Sequence, residues 1–146
     1  PQSVAAAICL LVTYGIYLFL SKSKFGRALR ATSLDKDTAL LMGINTNQVF
    51  ALTFGIGAAC VGVAGGVMVN FYPVFPEVGL NFAVLTFVIV ALGGFGNIGG
   101  AFLAGILVGL VSTVGGFFVG PEYKYTLVFV LYLIVITIRP KGLFGW

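Results

Sequence analysis

Residues 93–100 run Gly-Gly-Phe-Gly-Asn-Ile-Gly-Gly, and the stretch from Gly94 to Gly99 fits the G-x-G-x-x-G pattern that cradles a dinucleotide pyrophosphate. That chemistry needs a strand before the glycines, a helix after them and a carboxylate about 20 residues on for the ribose. The carboxylate is missing, because Glu122 is the only acid downstream and lies beyond a long apolar run. Metal chemistry fares no better. There is no histidine, and Cys9 and Cys60 each stand alone in an apolar run, as small buried thiols would. No G-x-x-x-x-G-K-S/T sequence is present either, so ATP hydrolysis is not expected of these residues. No catalytic, cofactor-binding or metal-binding residue is expected in this chain.

The elements around those glycines explain them better. Apolar residues make up 60% of the 146 and charged residues 8%, against about half and a quarter in soluble domains. Water cannot be the main solvent of such a surface, which predicts an all-α, polytopic bundle of transmembrane helices. The net charge of +4 raises nucleic acid as a partner, but the bases are clustered. Lys22, Lys24, Arg27, Arg30 and Lys36 share one polar stretch, Arg139 and Lys141 another, and Lys124 sits near Glu122. Bases between apolar runs orient spans, and no aromatic platform interleaves them.

Apolar runs at 3–20, 49–69 and 101–119 are long enough to cross most of a bilayer core of roughly 30 Å. Two shorter ones, 80–92 and 125–138, either extend into their flanks or are half-helices sheltered by protein. About five spans are expected. A cytoplasmic end after residue 20 then puts 71–79 and 120–124 outside, and the glycine-rich turn and the basic C-terminal tail inside. Pro73 and Pro76 make the outer segment irregular. The first run lacks a basic n-region and an A-x-A-type cleavage site, so it reads as a span, and the chain as part of a longer protein.

Glycine then serves close helix approach. Ala58, Gly62 and Gly66 form one stripe, Ala101, Gly105 and Gly109 another, and Gly96 and Gly100 share the spacing. Residues 93–100 read as a tight turn between packed helices, or as a break beside a translocation path with Asn97 offering hydrogen bonds. With no charge inside any span, the candidate polar lining of a path is Asn70, Tyr72, Asn81, Thr86 and Asn97, and each could equally bond a neighbouring helix.

The polar stretch 21–48 is longer than chain reversal requires. Ser33 can N-cap a short helix over 33–43, with Asp35 in its first turn and Gly43 ending it. Such a helix shows Leu34, Leu41 and Met42 on one side. It would lie on the membrane surface with Arg27 and Arg30 on lipid phosphates, insert into a partner's groove, or pack within the chain.

Residues 25–68, the run ALGGFGNIGGAFLAGILVGL at 91–110 and the closing RPKGLFG at 139–145 together resemble the LivH-like permease subunits of ABC importers for branched-chain amino acids. Members are about twice as long, and the likeness is to their C-terminal half. The resemblance implies one transmembrane permease domain over 1–146, in a bacterial or archaeal plasma or inner membrane. It also implies two cytoplasmic ATPase subunits that carry ATP and magnesium, a second permease subunit and a periplasmic binding protein that delivers an amino acid. It makes 33–43 a cytoplasmic coupling helix, with Arg27, Arg30, Leu34, Asp35, Leu41, Met42 and Gly43 at the ATPase contact. Urea, amides or another amino acid as substrate, a secondary transporter and a membrane scaffold without an ATPase are the alternatives.

Overall fold

The computed structural model describes residues 2–145, and among these the regular structure is entirely helical. The order is α1 (Gln2–Lys22), α2 (Lys24–Leu34), α3 (Lys36–Leu41), α4 (Thr46–Met68), α5 (Val78–Gly93), α6 (Ile98–Val119), a 3-10 turn (Pro121–Tyr123) and α7 (Lys124–Ile138). Apolar side chains surround α1, α4, α5, α6 and α7 on every side, the pattern of helices meant for lipid. Four segments are long and apolar enough to cross a membrane: α1, α4, α6, and α7 together with its 3-10 turn. The fifth expected span, α5, has 16 residues and is thus about 24 Å long. The protein is a multi-pass integral membrane protein.

The helices group into two compact units, residues 1–74 and 75–146. In the first, the long helices α1 and α4 are joined by α2 and α3, and the buried residues are small: Ala5, Gly26, Thr32, Ala39, Thr46 and Val49. Thr32 answers its burial by donating its hydroxyl to the Ala28 carbonyl at 2.8 Å. In the second unit, α5 contributes Leu85, Val88, Ile89 and Leu92 to a core completed by Ala104 and Val108 of α6 and by Val128, Leu131, Tyr132 and Val135 of α7. The spacing on α5 is i, i+3, i+4, i+7, one helical stripe. On α6 the buried face runs Gly100, Ala104, Val108, Ser112, four residues apart, so the small residues at its start let α5 approach closely there.

Cys9 is exposed and Cys60 half-buried. Neither is therefore the fully buried thiol that their apolar neighbours suggest.

Candidate functional site

The polar stretch folds as two helices, not as the single helix expected over 33–43. Ser33 is not an N-cap: it lies in the last turn of α2, where its hydroxyl donates to the Arg30 carbonyl at 2.9 Å. The cap is Asp35. Its extended backbone (φ −153°, ψ 108°) ends α2 and begins α3, and its carboxylate accepts from the Asp37 amide at 3.0 Å and the Thr38 amide at 3.3 Å. The Thr38 hydroxyl donates to the second carboxylate oxygen. Only Leu34 stands between Ser33 and Asp35, and the carboxylate prevails because it reaches two orphan amides and one hydroxyl at once. These bonds, the Thr38 hydroxyl first and its amide second, hold the Asp35 carboxyl below the ordinary carboxylate range.

Gly43 does end the short helix. Its φ of +82° places it in the left-handed region, its amide donates to Leu40 and that of Ile44 to Ala39, both at 3.1 Å, which is a Schellman close. With both ends fixed, the joint carries its apolar side chains outward. Leu34 and Leu41 are each 88% exposed and Met42 79%. On the inner side Ala39 is buried, and the Lys36 ammonium lies 5.8 Å from the Phe50 ring of α4.

Arg27 is exposed, but Arg30 has a duty within the chain: its guanidinium donates to the Leu20 carbonyl at 3.2 Å, near the end of α1. Gly26 lets that turn close, since a Cβ there would run into the same carbonyl. Ser23 caps α2 through the Gly26 amide at 3.1 Å, and Asn45 caps α4 through the Gln48 amide at 3.4 Å. Neither cap was read from the sequence. Asn45-Thr-Asn-Gln48 carried the usual signal, a capping residue with glutamine three positions on.

In the second unit the glycine-rich segment is a turn between two closely packed helices. A Cβ at Gly93 would collide with the Ala101 backbone, and one at Gly100 with the Gly93 carbonyl. Gly94 has φ +90°. Asn97 is the N-cap of α6, accepting from the Gly100 amide at 3.1 Å, while its side-chain amide donates to the Phe144 carbonyl at 3.2 Å. The C-terminal segment therefore folds back over this turn. The Leu143 amide donates to the Leu92 carbonyl at 2.7 Å. Both polar ends of Asn97 are thus occupied in holding the fold.

The other expected positions divide between the two units. Where a Cβ would stand on Gly62 and Gly66 of α4, Gly96 of the turn and Gly109 of α6, no atom beyond the glycine's own stretch of backbone lies within 4 Å among the described residues, and at Gly105 the Ile89 side chain stands at 3.8 Å. Asn70 bonds its own helix, donating to the Gly66 and Val67 carbonyls at 3.4 Å. Tyr72 is half-buried after α4. Asn81 lines an apolar groove of about 280 Å³ between α5 and α7, with Val84, Val88, Tyr125 and Phe129. Thr86 is exposed on α5 outside that groove. Asn81 stands in the first turn of α5, about 18 Å of helix from its Gly93 end, and Asn97 caps α6 beyond the turn.

Residues 1–137 match the model of the family described as branched-chain amino acid transport system, permease component. The chain is 39% identical over 145 residues to the high-affinity branched-chain amino acid transport system permease protein BraD of Pseudomonas aeruginosa, covering 99% of this chain and 47% of that protein. It is 37% identical over the same length to the LivH permease protein of Escherichia coli, with the same coverage. A probable branched-chain amino acid transport permease protein of Methanocaldococcus jannaschii shares 30% over 149 residues, covering 97% of this chain and 47% of that protein. The chain spans about half the length of these curated relatives. No solved structure matches.

Proposed function

The chain belongs to the family of branched-chain amino acid transport system permease components, and on that premise we propose that it forms part of the membrane pathway of an ATP-driven importer for branched-chain amino acids. In this reading it is a transport subunit and not an enzyme. Hydrolysis of ATP with magnesium belongs to cytoplasmic ATPase subunits, a second permease subunit completes the pathway, and a binding protein outside the membrane delivers the amino acid. The membrane is the plasma or inner membrane of a bacterium or archaeon, with the basic residues of α2 on its cytoplasmic side.

The observation that carries this reading is the exposure of Leu34, Leu41 and Met42, at 88%, 88% and 79%, in the most polar stretch of the chain. Burying such side chains is worth about 1.5–3 kcal/mol each before the costs of association. A cleft in an ATPase subunit that receives the α2–α3 joint would gain that energy. Because Asp35 and Gly43 fix both ends of α3, a shift of the cleft would be passed to α2 and α4 rather than absorbed in a loose loop. The charges of the spans, Lys22, Glu122 and Lys124, all stand at helix ends and none in a helix interior, which fits a pathway that does not grip its substrate, with selection left to the binding protein.

Leu41→Asp in the full-length permease, co-expressed with its ATPase, tests this. Leu41 touches little of its own chain, so membrane insertion and yield are expected to persist while co-purification of the ATPase is lost. Undiminished co-purification would overturn the docking role.

A further inference from the structure

The end of α5 poses a problem in its backbone. The last carbonyls of any helix lack a partner within it, and one buried without a donor is costly. Leu92, one residue from the end of α5, is 1% exposed. The donor that reaches its carbonyl comes from the far end of the chain, the Leu143 amide. Around that bond the two segments meet backbone to backbone. A Cβ at Gly94 would stand 2.6 Å from the Gly145 nitrogen, and one at Gly142 would stand 2.7 Å from the Gly94 nitrogen and 2.8 Å from the Ala91 carbonyl oxygen. Gly142, with φ +85° and its amide bonded to the Arg139 carbonyl at 3.0 Å, turns the chain back after α7. Asn97 then ties the far side of the segment through Phe144 while holding the first turn of α6 through Gly100.

We propose that residues 140–145 are a clasp that locks the bend between α5 and α6, with Asn97 as its positioning residue, so that α5, α6 and α7 move as one rigid body. Side-chain packing at Val128, Leu131 and Val135 joins α7 to the other two along its length. The clasp adds a second, distant attachment at its end, and two attachments along one helix resist rotation as well as separation. This inference stands on the geometry of the second unit and is independent of the transport reading.

Hydrogen exchange on the full-length permease in lipid nanodiscs separates the two duties of Asn97. Asn97→Asp keeps an oxygen to accept from the Gly100 amide but cannot donate to Phe144. Exchange of 140–145 should quicken about two- to tenfold, the worth of one hydrogen bond, and the backbone amides of the bend, at Gly94 and at position 97 itself, should quicken with it. The first turn of α6 should be unaltered. Gly142→Ala, which keeps the Asn97 side chain but denies the tail its seat, should loosen the same segments. Unaltered exchange of 140–145 in Asn97→Asp would overturn the role of Asn97. A tail that loosens in either variant over an unaltered bend would overturn the clasp, and equal loosening of the tail and the α6 first turn in Asn97→Asp would reduce Asn97 to a helix cap.

Discussion

The α2–α3 joint and the α5–α6 bend both stop one helix and start another within a few residues, and both use a short polar cap, Asp35 and Asn97. They differ in what closes over the break. At the joint the capping carboxylate accepts from the first turn of α3 while the Asp35 amide donates to Ala31 of α2, and Leu34, Leu41 and Met42 stand in the open. At the bend, backbone from residues 142–145 lies on backbone from 91–94, with no room for a methyl group between. A break closed by side chains leaves a surface for others to use. One closed by backbone is finished within its own unit, and its residues are fixed by space rather than by chemistry.

Gly100→Val tests that difference most severely. Its Cβ would overlap the Gly93 carbonyl, and since a backbone atom cannot swing aside, a loss of about 3 kcal/mol or more is expected. Thermal melting of the detergent-solubilised protein would read it as a large fall in midpoint and in monodisperse yield. A fall no greater than that of an exposed substitution would mean that the bend is as open as the joint. Gly43→Ala is the counterpart at the joint. There a Cβ meets nothing within 4 Å, so only the left-handed backbone at φ +82° opposes it. About 1–2 kcal/mol follows, confined to α3 and visible as faster exchange at the Gly43 and Ile44 amides without a change in the global midpoint.

Both sites were legible in part. The composition made the chain a membrane bundle, and α1, α4 and α6 fall within a few residues of the runs that announced them. The apolar side chains of the joint were visible as Leu34, Leu41 and Met42 in a polar stretch, and Gly43 as its stop. The choice of Asp35 over Ser33 was not visible, because both are good caps and only the reach of the carboxylate to Asp37 and Thr38 separates them. At the bend, spacing pointed to the right segment for an incomplete reason. Four-residue glycine stripes suggest helix packing wherever they occur, yet Gly100 meets the α5 backbone while a Cβ at Gly62 or Gly66 would meet no other element of its own unit among the described residues. That the C-terminal segment supplies the missing donor for Leu92 is a contact across about 50 residues, and no local pattern carries it.

The open stripe gives a third prediction, of smaller size and opposite sign. In an exposed helix interior, alanine in place of glycine is worth about 0.5–1 kcal/mol in favour of the helix. Gly62→Ala should therefore raise the melting midpoint of this chain slightly when it stands alone. In the full-length permease with its companions, a fall instead of a rise would show that the stripe is a contact made with helices beyond this chain, and would place α4 with the bend rather than with the joint.

The smallest effect expected is one of pH at the joint. Outside the spans, hydrogen bonds hold the Asp35 carboxyl below its ordinary value, which is about 3.9. A carboxyl lowered by folding contributes its stabilisation fully above that ordinary value and loses it as the pH falls through the lowered, folded one. The joint should thus be indifferent to pH from neutrality down to about 4, and below that the Thr38 amide should lose protection once the intrinsic pH dependence of exchange is removed. Asp35→Asn keeps one acceptor oxygen but has no proton to gain, so its Thr38 amide should show no such step. The bend offers the control within the same molecule. Asn97 is an amide already, and the Gly100 amide it caps should pass through the same acidification unchanged, so that a parallel loss at Thr38 and Gly100 would mean acid loosens the whole chain and that the two breaks are not held by different means.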